Sequence, residues 1–316
     1  MKKMFSFILI ATLALSLTAC SNKALDEANT AVETYNTAVA AYNEKAEPYN
    51  EAVKAVVAAN DELQKEIDGC QEVINAGEEP YDPETLEALK AAMAEASDAK
   101  VAAPEELDVY ETVSVSENAK KAELEELTAK VTADTETMTN FSFPETPEKP
   151  DYTSNITGLS EAKQIYEDSI QSLKQITAPT DDFVIERIQT IDTITAIAPV
   201  TEDHDPNGKL NKQGGYTGCI YFRDSQVDQS QLYVDGDPND VIDVGTQGGG
   251  AIEIYRTVEE AQARDAYLAG FDGTAFTSGS HYIKGTCLIR TSDELNGTQQ
   301  LELTEKITQA LIKVEH

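Results

Sequence analysis

From Leu25 the apolar positions alternate three and four residues apart, through Ala28, Val32, Tyr35, Val39, Tyr42 and Ala46 and on to Ile74. This heptad seam predicts one long amphipathic helix. Tyr-Asn recurs at 35–36, 42–43 and 49–50, an internal repeat at the heptad spacing. Fifty such residues would run about 75 Å at 1.5 Å per residue. Pro48 lies off the seam, so it removes one backbone hydrogen bond and leaves the packed stripe intact. Gly77 to Pro83 reads as a turn. Leu86, Leu89, Met93 and Ala96 then carry a second stripe, and Leu124, Leu127, Val131 and Met138 a third, after a break near Pro104. Together these match the first helix in length, which predicts an antiparallel hairpin or three-helix bundle closed within one chain. A parallel coiled-coil homodimer is the competing reading, suggested by the β-branched seam and by Asn60 within it. The hairpin is preferred, and with it a monomer.

Residues 141–157 hold Pro144, Pro147 and Pro150 without helical periodicity and read as a semi-rigid linker. Beyond it the pattern changes. Leu159, Ala162, Ile165, Ile170, Leu173 and Ile176 mark a helix, and Thr180 caps another that carries Phe183, Ile188, Ile191 and Ile194. Tyr216 to Phe222, Ala251 to Tyr255 and Tyr282 to Arg290 read as strands. Thr257 with Glu260 opens a helix that Gly270 ends, and Thr298 starts a last one with Leu303, Ile307, Leu311 and Val314 inward. The expected fold class is α+β: a helical hairpin or coiled coil over 20–140, then a small α+β domain over 158–316 with a sheet of at least three strands.

The first residues have a different character. Lys2 and Lys3 precede a mostly apolar run from Phe5 to Leu17, which ends in Leu17-Thr18-Ala19-Cys20. The run is shorter than the roughly 20 residues that a spanning helix needs and has the form of a secretory signal over residues 1–19. It resembles a bacterial lipobox. That resemblance implies cleavage before Cys20, a diacylglycerol on its sulfur, and retention of the chain on the extracytoplasmic side of the cell membrane, since two acyl chains make a stable anchor. Without residues 1–19 the chain holds 22 basic and 57 acidic residues, spread over both halves. A nucleic-acid binder needs clustered Lys and Arg, so that partner is excluded. An anionic leaflet would likewise repel this surface.

Candidate chemistry is sparse. Asp203, Asp205 and Asn207, with Gly208, reproduce the first half of an EF-hand calcium loop. The twelfth position, which should be glutamate, is Gly214, and Pro206 stiffens the middle, which favours a plain Pro-Asn-Gly turn. Calcium is thus a minor expectation, and no other metal or cofactor is expected. Gly245 to Gly250 could suggest a phosphate cradle, but such loops open a helix and this one precedes a strand. His281 with Cys287, or His204 with Cys219, could be paired as base and nucleophile, with no third group in view. A bond between Cys219 and Cys287 is possible; buried strand cysteines more often act as small apolar residues.

The stretch from Thr201 to Tyr216, with Val227-Asp-Gln-Ser230, Ile252-Glu-Ile-Tyr255 and Gly279-Ser-His281, resembles an uncharacterised C-terminal domain of lipoproteins and surface proteins from Gram-positive bacteria. The resemblance covers roughly residues 160 to 316 and carries no catalytic residues with it. The expectation is a non-catalytic, lipid-anchored surface protein whose far domain contacts an envelope or extracellular component. The alternative is a surface hydrolase using a His/Cys or carboxylate site in that domain.

Overall fold

The heptad seam lies on one helix, α1 (Cys20–Asn75), which continues through Pro48. The seam residues from Ala28 to Val56 are buried, as are Leu63, Ile67 and Cys70. The computed structural model describes residues 20–274 and 279–316, without the side chains of 20–22, so the segment expected as a signal and the Cys20 thiol fall outside the described residues. Five more helices and strands of the chain follow as α2 (Glu84–Asp98), α3 (Lys121–Thr139), α4 (Thr153–Gln175), α5 (Asp181–Ile188) and β1 (Ile194–Pro199). The remainder runs β2 (Gly218–Asp224), α6 (Val241–Val244), β3 (Gly249–Ile254), α7 (Val258–Ala269), β4 (Ser280–Lys284), β5 (Cys287–Thr291) and α8 (Gly297–Ile312). The chain divides into two compact units, one holding the residues up to Glu66 with Ala96–Ile156, the other Ile67–Glu95 with Thr157–His316. This differs from a single cut near residue 140, because the end of α1 and most of α2 belong to the second unit.

In the first unit Val32, Tyr35, Val39, Tyr42 and Ala46 of α1 pack with Val131 and Met138 of α3 and with Leu107, Tyr110, Val113 and Phe143. The last four come from segments that are neither helix nor strand. The segment from Leu107 to Val113 is an extended strap, and the Tyr-Asn repeat holds it. Asn36 donates to the Val113 carbonyl at 2.9 Å and accepts the Val113 N–H at 2.9 Å. Asn43 does the same for Tyr110, at 2.7 and 3.1 Å, and Asn50 for Leu107, at 2.8 and 2.7 Å. Each carboxamide thus satisfies both polar groups of one residue, as a neighbouring strand would. The spacing explains the register. Seven helical residues advance about 10.5 Å, close to the 9–10 Å of three extended residues. Only a chain of threefold periodicity presents every third residue to one side, and the burial of the strap repeats accordingly, with Leu107, Tyr110 and Val113 half-buried and the residues between them exposed.

The Pro-rich stretch is also tied down within this unit. Phe141 and Phe143 meet the Tyr42 ring at 5.3 and 5.0 Å. Tyr152 donates to Asn60 at 2.7 Å and accepts the Val101 N–H at 3.0 Å, while Asn60 donates to the Val101 carbonyl at 2.8 Å. Asn60 therefore closes a polar ring within one chain, and α4 begins at Thr153, inside the stretch expected as linker.

The second unit is built on a five-stranded antiparallel sheet of order β1-β2-β3-β5-β4. Two strands were not resolved by pattern. The run from Tyr282 to Arg290 is a hairpin, turned at Gly285 with φ of +59°, where a Cβ would lie 2.2 Å from the Ile176 carbonyl oxygen. Ile194, expected to continue the helix after Thr180, instead opens β1. α5 stops at Ile188, and two tight turns carry the chain on, from Ile191 N–H to the Ile188 carbonyl and from Ile194 N–H to that of Ile191. Those turns keep a three-residue apolar spacing, which imitates a helix.

Both faces of the sheet are covered. Ile220, Phe222, Ile252, Ile254 and Ile289 pack on Val184 and Ile188 of α5 and Leu303, Ile307 and Leu311 of α8. Cys219, Tyr221, Ala251 and Leu288 face Tyr216, Ile242, Tyr255, Ala261 and Leu268. The helix starts follow their caps: Thr180 accepts from Phe183 N–H and Thr257 from Glu260 N–H, each at 3.2 Å. The last helix is capped by Asn296 with Gln299, so it begins at Gly297.

Replacing Asn43 by Leu leaves the Tyr110 N–H and carbonyl without their partners, at a cost of about 1–3 kcal/mol. Hydrogen exchange at Tyr110 should accelerate by at least tenfold, with exchange in β3 unchanged; equal acceleration in both would contradict a locally held strap.

Candidate functional site

The loop expected as half of a calcium site is organised by protein donors. Asp205 Oδ1 accepts from Asn207 N–H at 3.0 Å and from the Tyr216 hydroxyl at 2.5 Å, and Oδ2 accepts from the N–H groups of Lys209 and Leu210 at 2.6 and 2.7 Å. Burial works against the Asp205 carboxylate, but these donors outweigh it and hold its pKa below the ordinary value. Asn207 donates its amide to the Tyr221 hydroxyl at 3.0 Å, while Asp203 is exposed. Asp205 and Asn207 therefore fasten the loop to the sheet, and Gly208, at φ +61°, makes the turn after Pro206-Asn207.

The residue between the two aspartates has a different partner. His204 reaches α6, where its Nε2 lies 2.8 Å from Asp243 Oδ1, and the ligand atoms of His204, Asp240 and Asp243 all fall within 4.8 Å of one another. Asp240 caps α6 by accepting from Ile242 and Asp243 N–H at 2.8 and 3.3 Å through Oδ1. Asp243 Oδ2 accepts from Asp237 N–H at 2.9 Å, and this bond with the His204 contact draws the Asp243 carboxyl below its ordinary pKa. Sequence reading missed this cluster. Its one local sign is the Asp240-x-x-Asp243 spacing, which sets two carboxylates on one side of a helical turn.

Neither His/Cys pair is assembled. Cys219 lies opposite Glu253, and Glu253 opposite Leu288, so these three share one face of the sheet; Cys287, next to Leu288, faces the other way. The three described cysteines are buried and none forms a disulfide. Burial pushes the Cys287 thiol up to about 12 and raises Cys219 well above the ordinary value, the reverse of what a nucleophilic thiolate requires. His281 on β4 sits instead between two carboxylates, with Nδ1 2.6 Å from Asp265 and Nε2 3.3 Å from Asp272. Gly245 to Gly250 forms a tight turn into β3, and a Cβ on Gly250 would meet the Arg290 carbonyl oxygen at 2.2 Å. Those glycines answer to close backbone packing.

Glu253 on β3 carries a charge with no solvent exposure. Arg264 of α7 grips it with two nitrogens at 3.0 and 3.2 Å, Arg290 of β5 donates at 2.9 Å, and the Tyr255 hydroxyl at 2.7 Å. Desolvation raises its pKa, yet the two guanidiniums and the hydroxyl prevail and hold the carboxyl below its ordinary value. These groups face one another across the sheet and α7, and act as an internal tie.

No family model matches this chain, and comparison with curated proteins and with solved structures found no match either.

Because its folded pKa is depressed, Glu253 contributes stability that is fully present above the unfolded value near 4.5 and lost as pH falls through the lower folded value. Urea midpoints should therefore drop below about pH 4.5. In Glu253→Gln, already weaker at pH 7 by about 3–5 kcal/mol, the drop should be shallower; an identical acid profile would contradict this assignment.

Proposed function

We propose that this protein is a non-catalytic surface lipoprotein, anchored through diacylated Cys20, whose first, mainly helical unit serves as a stalk and whose α+β unit contacts an envelope or extracellular component. The observation that carries the reading is Leu17-Thr18-Ala19-Cys20 closing a short apolar run behind Lys2 and Lys3. The excess of 57 acidic over 22 basic residues from Cys20 onward supports it, since such a surface gains nothing from an anionic leaflet and needs a lipid to stay there. A monomeric stalk is supported by the seam of α1, whose residues Val32 to Ala46 are already covered by α3 and the strap of the same chain. The binding role is supported by the state of the thiols, which burial keeps protonated, and by His281, whose two ring nitrogens are both taken by aspartates.

Cys20→Ala should abolish incorporation of labelled palmitate and shift the chain from the membrane pellet to precursor or released protein. Unchanged retention of that variant in washed membranes would end the proposal. The partner is approached by capture from envelope extract on the full chain. Turnover of an envelope substrate that stops in His281→Ala, with the fold intact, would replace the binding reading by a hydrolase.

A further inference from the structure

We propose that His204, Asp240 and Asp243 bind a transition-metal dication of the Zn2+ type, and that the ion clips the Thr201–Tyr216 loop to α6. The three side chains come from two segments separated by β2, yet their ligand atoms gather within 4.8 Å. In a tetrahedral zinc site with bonds of 2.0–2.2 Å, ligand atoms lie roughly 3.4 Å apart. The 2.8 Å contact between His204 Nε2 and Asp243 Oδ1 and the 4.8 Å limit bracket that spacing, so small side-chain rotations complete the chelate.

The carboxylates are oriented before any ion arrives. The cap bonds of Asp240 use Oδ1 alone, and Oδ2 has no hydrogen bond among the described residues. Asp243 is fixed by the Asp237 N–H and by Gly236, whose missing side chain leaves room for the carboxylate: a Cβ there would meet Asp243 Oδ2 at 2.7 Å. Such outer bonds hold ligands in place in metal sites. Neither aspartate has a Lys or Arg ion partner among the described residues, unlike Glu253 with its two. Two carboxylates and a neutral imidazole cancel the charge of a dication. The side chains of His204 and Asp243 are 41% and 27% exposed, which leaves an entry path and a position for water.

The donor set chooses the metal. Calcium and magnesium take oxygen ligands, whereas an imidazole nitrogen with carboxylates suits zinc and its neighbours. The ion expected here is thus of a different class from the one suggested by Asp203, Asp205 and Asn207, although His204 belongs to the same loop.

The test is calorimetric titration of the full chain with Zn2+, with Co2+ absorption as the report on coordination. One equivalent should bind, Ca2+ should give no heat, and His204→Gln and Asp240→Asn should each weaken binding by tenfold or more. His281→Gln should leave it unchanged. Asp240→Asn retains the oxygen that caps α6, and circular dichroism identifies any variant that fails to fold. Absence of Zn2+ binding to the wild type, equal affinity for Ca2+, or binding that survives both His204→Gln and Asp240→Asn would overturn the proposal.

Discussion

The carboxamide clasp between α1 and the strap is the constraint on which the first unit depends. A helix satisfies its own backbone and offers a neighbour only side chains, so an extended segment beside it must find partners for its N–H and C=O groups elsewhere. Asn36, Asn43 and Asn50 provide them at every third residue. A net hydrogen bond contributes about 1 kcal/mol, while ordering one residue of backbone costs about 1–2 kcal/mol. The clasp alone therefore does not hold the strap. It works because Leu107, Tyr110 and Val113 also bury apolar surface in the seam, so the bonds set the register and burial supplies the adhesion.

The second unit solves a related problem with charge. A sheet covered on both faces leaves no solvent for a strand carboxylate, and Glu253 persists there because Arg264, Arg290 and Tyr255 saturate both of its oxygens. Replacing any one partner leaves a buried carboxylate oxygen short of a donor, which makes the group costly to perturb and specific about how α7 and β5 meet β3. Asp205 plays the same part on a smaller scale, with four donors fixing one loop.

The seam, the α+β class and the caps at Thr180 and Thr257 were legible because periodicity and capping are local. What went unread was mostly non-local or ambiguous. Ile188, Ile191 and Ile194 keep a helical spacing through two turns, so β1 was hidden. The Tyr-Asn repeat was visible, but a heptad directs attention to the seam residue and does not say what the Asn beside it meets; its counterpart, Leu107-x-x-Tyr110-x-x-Val113, has a period that matches neither helix nor strand. The faces of Cys219 and Cys287 depended on strand register, which one residue's shift reverses. The His204 cluster could not be seen because β2 separates its members in sequence.

The clasp also has an evolutionary consequence. It grips amide atoms, which every residue but proline supplies in full, so the demand for apolar side chains at Leu107, Tyr110 and Val113 comes from their burial and not from the clasp. Two of every three strap side chains point away, among them Asp108, Val109, Glu111 and Thr112. Selection on that outward surface is uncoupled from selection for folding. The strap can change its charge or its contacts one substitution at a time while the framework beneath it stays the same.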